Sequence, residues 1–214
     1  MPMASTTQSL KAPGPRSGAP AWALLLGFPL LHGCGDPDDH AALVEAADAF
    51  WNNLAYHCGN AYPGSLTLEP PGDDLLRGDE LLVVHFRSCT ERELQLPFHI
   101  EVEEGEWNRS RTWIFIRQGD GGLELRHDHR LPDGSDDDLT WYGGFVEEAG
   151  TPNRQEFIYR EVEYPDGSTR GWRIEIEPEE RYTYGTIRNG EWTWRVDFDL
   201  TRPLPDEPPP PWGY

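Results

Sequence analysis

Positive charge is scarce in this chain. Its 214 residues include 18 Lys and Arg against 38 Asp and Glu, a net charge of −20, and Lys11 is the single lysine. Since proteins hold nucleic-acid backbones through clustered positive charge, the composition excludes non-specific nucleic-acid binding, and we expect no nucleic-acid partner. An anionic membrane surface would repel the chain too, so any membrane attachment must be covalent or apolar.

Long apolar runs are also scarce, and the exception lies near the amino terminus. Residues 1–33 contain no Asp or Glu, and Lys11 and Arg16 precede the apolar run Ala21–Leu31. This run suits the hydrophobic region of a signal peptide and is too short to span a bilayer. The sequence therefore predicts an exported protein, with residues 1–33 as its signal peptide.

The residues that follow the run resemble the lipobox of bacterial lipoproteins. In Leu31-His32-Gly33-Cys34 a small residue precedes a cysteine, and in that family this cysteine becomes the acylated first residue. The resemblance implies lipidation of Cys34, residues 34–39 as a tether and a location in the bacterial cell envelope. Gly35 at the second position favours the outer membrane. The alternative is an ordinary secretory signal with a coincidental Cys34.

Cysteine is rare as well, with three residues in the chain. If Cys34 is acylated, Cys58 and Cys89 remain as an even number in an oxidising compartment, which favours a disulfide between them. Closing a loop of about 30 residues would contribute roughly 3–4 kcal/mol in the chain-entropy model. The alternative is two free buried thiols.

One segment has the apolar spacing of a helix. Within 39–57, apolar residues recur every three or four positions from Ala42 to Leu54, and Asp39 could act as the N-cap. We therefore predict a helix over residues 40–57.

The segment 58–203 has the pattern of an antiparallel β domain. Asp-Gly and Asn-Gly pairs in 119–122 and 188–191 are typical of tight hairpin turns. Strands such as 171–177 and 191–200 alternate apolar and charged residues, which gives each strand one dry and one wet face. The predicted strands are 65–68, 81–89, 97–103, 111–118, 122–130, 139–145, 154–162, 171–177, 181–188 and 191–200.

So many hairpin-linked strands can bury their dry faces only by closing on themselves or by forming two layers. We predict an all-β fold with one N-terminal helix, an antiparallel up-and-down meander that forms a lipocalin-like β-barrel or a strongly curled sheet. The helix would close one end or pack alongside, and a β-sandwich is the alternative. The Pro-rich tail 204–214 is predicted to be extended.

The strand 122–130 carries two histidines that suggest a site. Strand alternation places His127 and His129 on the dry face with two leucines, and Asp128 on the opposite face. Two imidazoles can share a metal ion, but a catalytic zinc normally takes three protein ligands, and no sequence spacing links His85 or His99 to the pair. His127 and His129 are therefore weak metal candidates, and no metal or other cofactor is predicted.

A small barrel with this inner face could hold a ligand. Polar contacts would come from His127, His129, Arg111 and Tyr142. An aromatic wall would come from Trp172, Trp192 and Trp194, together with Phe198, Tyr182 and Tyr184. Ordinary core packing of these rings, with hydrogen-bonded buried histidines, is the alternative.

Three functions remain open on this evidence. The first is a lipid-anchored envelope protein that binds a small apolar or aromatic ligand without transforming it. The second is a metal-assisted or acid–base hydrolase that uses His127 and His129, although no G-x-S-x-G motif or distinctive carboxylate pair supports one. The third is an interaction protein whose acidic face docks another envelope component.

Short motifs across most of Cys58 to Pro203 are similar to an uncharacterised family of bacterial secreted proteins and lipoproteins. They are CGNAYPG (58–64), SRTW (110–113), LRHDHRLPDGSDD (125–137), YGG (142–144), RQEF (154–157) and FDLTRP (198–203). The resemblance implies an exported protein, and because the family has no established activity, it assigns no catalytic residue to this chain. The chain departs from the family pattern at Leu131, where a histidine is frequent, and over Tyr184–Arg188.

Overall fold

The computed structural model describes residues 37–69 and 76–214. The predicted signal peptide, Cys34 and residues 34–36 of the predicted tether lie outside this range. Within it, no helix has both the length and the apolar character needed to cross a membrane.

The helix α1 runs from Pro37 to Ala55. Proline suits a first helical position because the amide that it lacks has no intrahelical partner there. Asp39, the predicted N-cap, lies inside the first turn, where its negative charge complements the helix dipole. The apolar stripe is buried as its spacing predicts, at Ala46, Ala47, Phe50, Trp51 and Leu54.

Eleven strands follow within the described residues. They are β1 (Ala61–Leu68), β2 (Leu82–His85), β3 (Ser88–Cys89), β4 (Glu93–Glu103), β5 (Glu106–Arg117), β6 (Leu123–His129), β7 (Tyr142–Val146), β8 (Arg154–Ile158), β9 (Arg170–Glu177), β10 (Arg181–Arg188) and β11 (Glu191–Asp199). In the last hairpin Asn189 and Gly190 have φ of 50° and 78°, the left-handed pair that a tight hairpin needs.

The sheet is a closed antiparallel barrel. From β4 to β11 each strand pairs with the next, β11 pairs with β1, and β2 pairs with both β1 and β4. Ten strands therefore form the ring, and the short β3 pairs with β4 beside it. The predicted up-and-down β-barrel is confirmed, and the β-sandwich alternative is wrong for this chain. Closure leaves the ring without an exposed edge strand.

The helix closes one end of the barrel. The Asn53 side-chain amide donates to the Pro152 carbonyl at 2.9 Å, in the β7–β8 turn. The Tyr56 hydroxyl donates to Glu179 at 3.2 Å, in the β9–β10 turn. Because both turns lie at the same end, the helix caps that end, where its buried face joins the core inside the ring.

A disulfide joins Cys58 to Cys89, with Cα atoms 6.2 Å apart. The predicted pairing is confirmed. It ties the segment after the helix to β3 and so fixes the helix cap to the barrel wall.

The C-terminal strap, residues 204–214, crosses the outside of the barrel. The Leu204 amide donates to the Ala61 carbonyl on β1 at 2.8 Å. The Arg109 guanidinium on β5 donates to a strap carbonyl at 2.7 Å. At the end of the strap the Tyr214 hydroxyl donates to Asp128 on β6 at 2.5 Å. Since β2 and β4 lie between β1 and β5 in the ring, the strap passes over their outer faces.

Candidate functional site

A partly open cavity of about 200 Å³ lies inside the barrel, at the end opposite the helix. The helix contacts the turn that precedes β6, whereas the cavity is lined near the end of β6, the start of β7 and the end of β10. Its walls are Phe98, Arg111, Trp113, His127, His129, Tyr142, Trp172, Tyr184, Thr186 and Trp194. Seven of the ten predicted binding residues therefore meet at this cavity, whereas Tyr182 and Phe198 pack in the core.

His127 is fully engaged by its neighbours. Its Nδ1 lies 3.2 Å from the Tyr142 carbonyl and its Nε2 lies 2.6 Å from the Tyr184 hydroxyl. A carbonyl can only accept, so Nδ1 carries the proton and Nε2 accepts the hydrogen bond of Tyr184. Burial lowers the pKa of His127 to about 3 and raises the pKa of Tyr184 well above its ordinary value. Both side chains are therefore uncharged at neutral pH.

His129 lies nearer the mouth and is half-buried. Its Nε2 is 3.2 Å from the Tyr142 hydroxyl, and the two rings meet edge to face. Burial and then the positive charge of Arg111 lower the pKa of His129 below its ordinary value. His129 and Tyr142 thus present neutral polar groups at the opening.

Aromatic rings form most of the remaining wall. Trp113 stacks on Tyr184 with centroids 3.9 Å apart, and Phe98 stacks on the same indole at 5.0 Å. On the other side His127 lies between Tyr142 and Trp172, at 4.8 Å and 4.5 Å. The result is a set of flat surfaces with hydroxyl and imidazole groups fixed between them, which suits a flat apolar ligand.

Trp192 lies outside the barrel, and its predicted inward position is wrong. The pairing of β10 with β11 shifts register between Thr186 and Ile187, so that one extra residue of β11 is accommodated in a bulge. Trp194 faces the cavity, whereas Trp192 lies beneath the Arg173 guanidinium, 4.9 Å from its ring centroid, on the outer face. Strict alternation of inward and outward side chains fails at a bulge. The extra residue moves the residues that precede it in the strand to the opposite face of the sheet.

Three wall residues were not among the predicted binding residues: Phe98, Trp113 and Thr186. The alternation of β4 and β5 places Phe98 and Trp113 on the same face as their neighbours in the core. The sequence pattern thus predicts that these side chains point into the barrel. Which of the inward side chains line the same cavity follows only from the closure of the ring.

The other histidines do not join the pair. Val83 pairs with His99 across β2 and β4, and both residues lie on the outer face with His85, beneath the strap. Asp128 is on the outer face of β6, as predicted, where Arg130 and Tyr214 contact it. Among residues 37–69 and 76–214, no group of three or more His, Cys, Asp or Glu is placed to hold a metal ion.

Comparison with known proteins adds little to this description. No protein-family model and no curated protein matches the chain. A solved structure of a redesigned β-barrel is similar at 8% identity and a TM-score of 0.30, covering 72% of this chain and 93% of that one. With a TM-score this low, the barrel assignment rests on the strand pairing of the chain itself.

Proposed function

We propose that the protein is a lipid-anchored component of the bacterial cell envelope that binds a small apolar or aromatic ligand without transforming it. The observation that carries this proposal is the cavity walled by stacked aromatic rings at the uncapped end of the barrel. Apolar cavities with a few convergent polar groups are the usual form of a small-molecule site.

The size of the cavity limits the ligand. At about 200 Å³ it is smaller than the roughly 300–1,000 Å³ that drug-sized ligands occupy. An apolar cavity of about 150 Å³ in another protein holds benzene. A molecule with one or two rings is therefore the best fit, and it would stack against Trp172 or Trp194.

The state of His127 favours binding over acid–base chemistry. Both ring nitrogens are already hydrogen-bonded, and the ring is uncharged at neutral pH. To bind a metal or accept a proton from a substrate, the ring would have to give up its bond with Tyr184. A fixed neutral imidazole is better suited to orienting a ligand than to transferring protons.

The lipid anchor rests on the sequence around Cys34. Mass spectrometry of the protein expressed in a bacterial host should find acyl chains on Cys34, and Cys34→Ser should be recovered without them. An unmodified Cys34 in the membrane fraction would reject the anchor and leave the binding proposal intact.

Indole, a neutral two-ring molecule, serves as the first probe of the cavity. Isothermal titration of the full chain should give a saturable binding isotherm. Thr186→Phe places a ring in the cavity and should abolish binding, whereas Thr201→Phe on the exposed outer surface should leave it unchanged. Absence of binding, or undiminished binding by a folded Thr186→Phe variant, would overturn the proposal.

A further inference from the structure

Arg111 is a cationic wall residue without a carboxylate partner. Its guanidinium hydrogen-bonds the Ser110 hydroxyl at 3.1 Å. No Asp or Glu of the described residues lies within salt-bridge distance of it, whereas several arginines on the outer face are paired with carboxylates. Arg126 and Arg173, for example, are held by Glu124 and Glu156. The chain has a net charge of −20, so acidic side chains outnumber basic ones. An unpaired guanidinium inside the barrel is therefore an unusual positive charge in this protein.

The positive charge of Arg111 acts on groups that line the cavity. The guanidinium lies close enough to Tyr142, Tyr184 and His129 to bias their ionisation, and all three line the same cavity. No carboxylate is among the wall residues. The acidic side chains that act on His129 are Asp128 and Asp137, and neither belongs to the wall.

Those two carboxylates already have partners. Asp128 accepts hydrogen bonds from Arg130 at 2.9 Å and from Tyr214 at 2.5 Å on the outer face of β6. Asp137 accepts from the Leu139 amide at 3.0 Å. The cavity thus combines aromatic walls with a guanidinium that, within residues 37–69 and 76–214, forms no salt bridge.

We infer that the ligand is an aromatic or apolar carboxylate whose anionic group binds Arg111 while its ring lies among the tryptophans. This inference rests on the proposed function and names the ligand class of the same site. A planar guanidinium matches a carboxylate through two parallel hydrogen bonds. Partial exclusion of water strengthens such a pair relative to one at the surface.

The test compares two probes that share one ring system. Indole-3-acetate carries a carboxylate, and indole-3-ethanol carries a neutral hydroxyl at the same position. By isothermal titration at pH 7.5, we expect the acetate to bind at least about tenfold more tightly, the gain typical of a charge-assisted hydrogen bond. Arg111→Met should remove this preference, so that the two probes bind the variant with equal affinity.

Two further variants complete the design. Arg111→Lys keeps the positive charge but not the paired donors, so it should retain part of the preference for the acetate. It also provides a test of the inference if the methionine variant does not fold. Arg202→Met removes a positive charge from an exposed side chain and should leave the preference intact. Equal affinity of the folded protein for both probes would overturn the anion inference while the proposed function stands. Binding of neither probe would overturn both.

Discussion

His99 offers a direct test of how the C-terminal strap and the barrel wall are coupled. The ring lies on the outer face of β4, is fully buried, and has no hydrogen-bond partner for either nitrogen among the described residues. Burial, followed by the positive charges of His85, Arg109 and Arg87, lowers its pKa to about 4. Replacing it by leucine keeps a buried side chain of similar bulk and removes the ionisable ring.

The sign and size of the effect follow from proton linkage. An unfolded histidine has a pKa near 6.5. Between that pH and the lower pKa of folded His99, the unfolded chain binds a proton at this residue and the folded chain does not. The folded state therefore loses stability as the pH falls from about 6.5 towards 4. At pH 5.0 the loss from His99 alone is about 2 kcal/mol, with each pKa unit corresponding to about 1.4 kcal/mol. His99→Leu should remove that part of the pH dependence.

The free energy of unfolding of the natural chain and of His99→Leu is measured by urea unfolding, followed by circular dichroism, at pH values between 7.5 and 5.0. This range stays above the sequence pI of about 4.6, where solubility is lowest. At pH 7.5 the leucine variant should be as stable as the natural chain or more so, because an unsatisfied buried polar group is removed. At pH 5.0 it should be more stable by about 2 kcal/mol beyond any difference at pH 7.5.

Exposed His40 on α1 supplies the matched control, and His40→Leu should leave the pH dependence unchanged. Identical pH dependence in the natural chain and in His99→Leu would contradict a lowered pKa for His99. It would mean that His99 is hydrated in solution and that the strap does not seal the face of β4.

Two further predictions concern stability. Tyr184→Phe removes the hydroxyl that satisfies His127 and should lower the free energy of unfolding by about 1–3 kcal/mol, as measured in urea at pH 7.5; an unchanged value would mean that water or another group replaces the bond. The double variant Cys58→Ser/Cys89→Ser should lose about 3–4 kcal/mol in the same assay; a loss of less than about 1 kcal/mol would show that the closed loop contributes little to stability.

Much of the barrel could be predicted from local pattern. Alternating residues in 171–177 fix which side chains share a face, and the Asn189-Gly190 turn fixes a tight hairpin. The spacing of apolar residues between Ala46 and Leu54 fixes the buried stripe of the helix. These features depend on the periodicity of strands and helices, which can be recognised in a short segment without knowledge of its neighbours in the fold.

Two features, one in the site and one on the outer face, were harder to predict because their determinants are not local. The bulge that turns Trp192 outward depends on how β10 and β11 pair, and the sequence of β11 by itself gives an uninterrupted alternation. The strap over His99 depends on contacts between residues about 100 positions apart, such as Arg109 with Pro210. A proline-rich segment has no periodic apolar face that would indicate where it packs.

Local sequence patterns were sufficient to predict a one-helix, hairpin-rich β protein with His127 and His129 facing inward, and they favoured a Cys58–Cys89 disulfide. Three features became visible only in the folded barrel: the ring closes through β1 and β2, the helix caps one particular end, and Arg111 meets three tryptophans around one cavity. The physical reason is that side-chain direction is set by the dihedral angles of a single strand. The neighbours of that side chain are set instead by the register and curvature of all ten strands together.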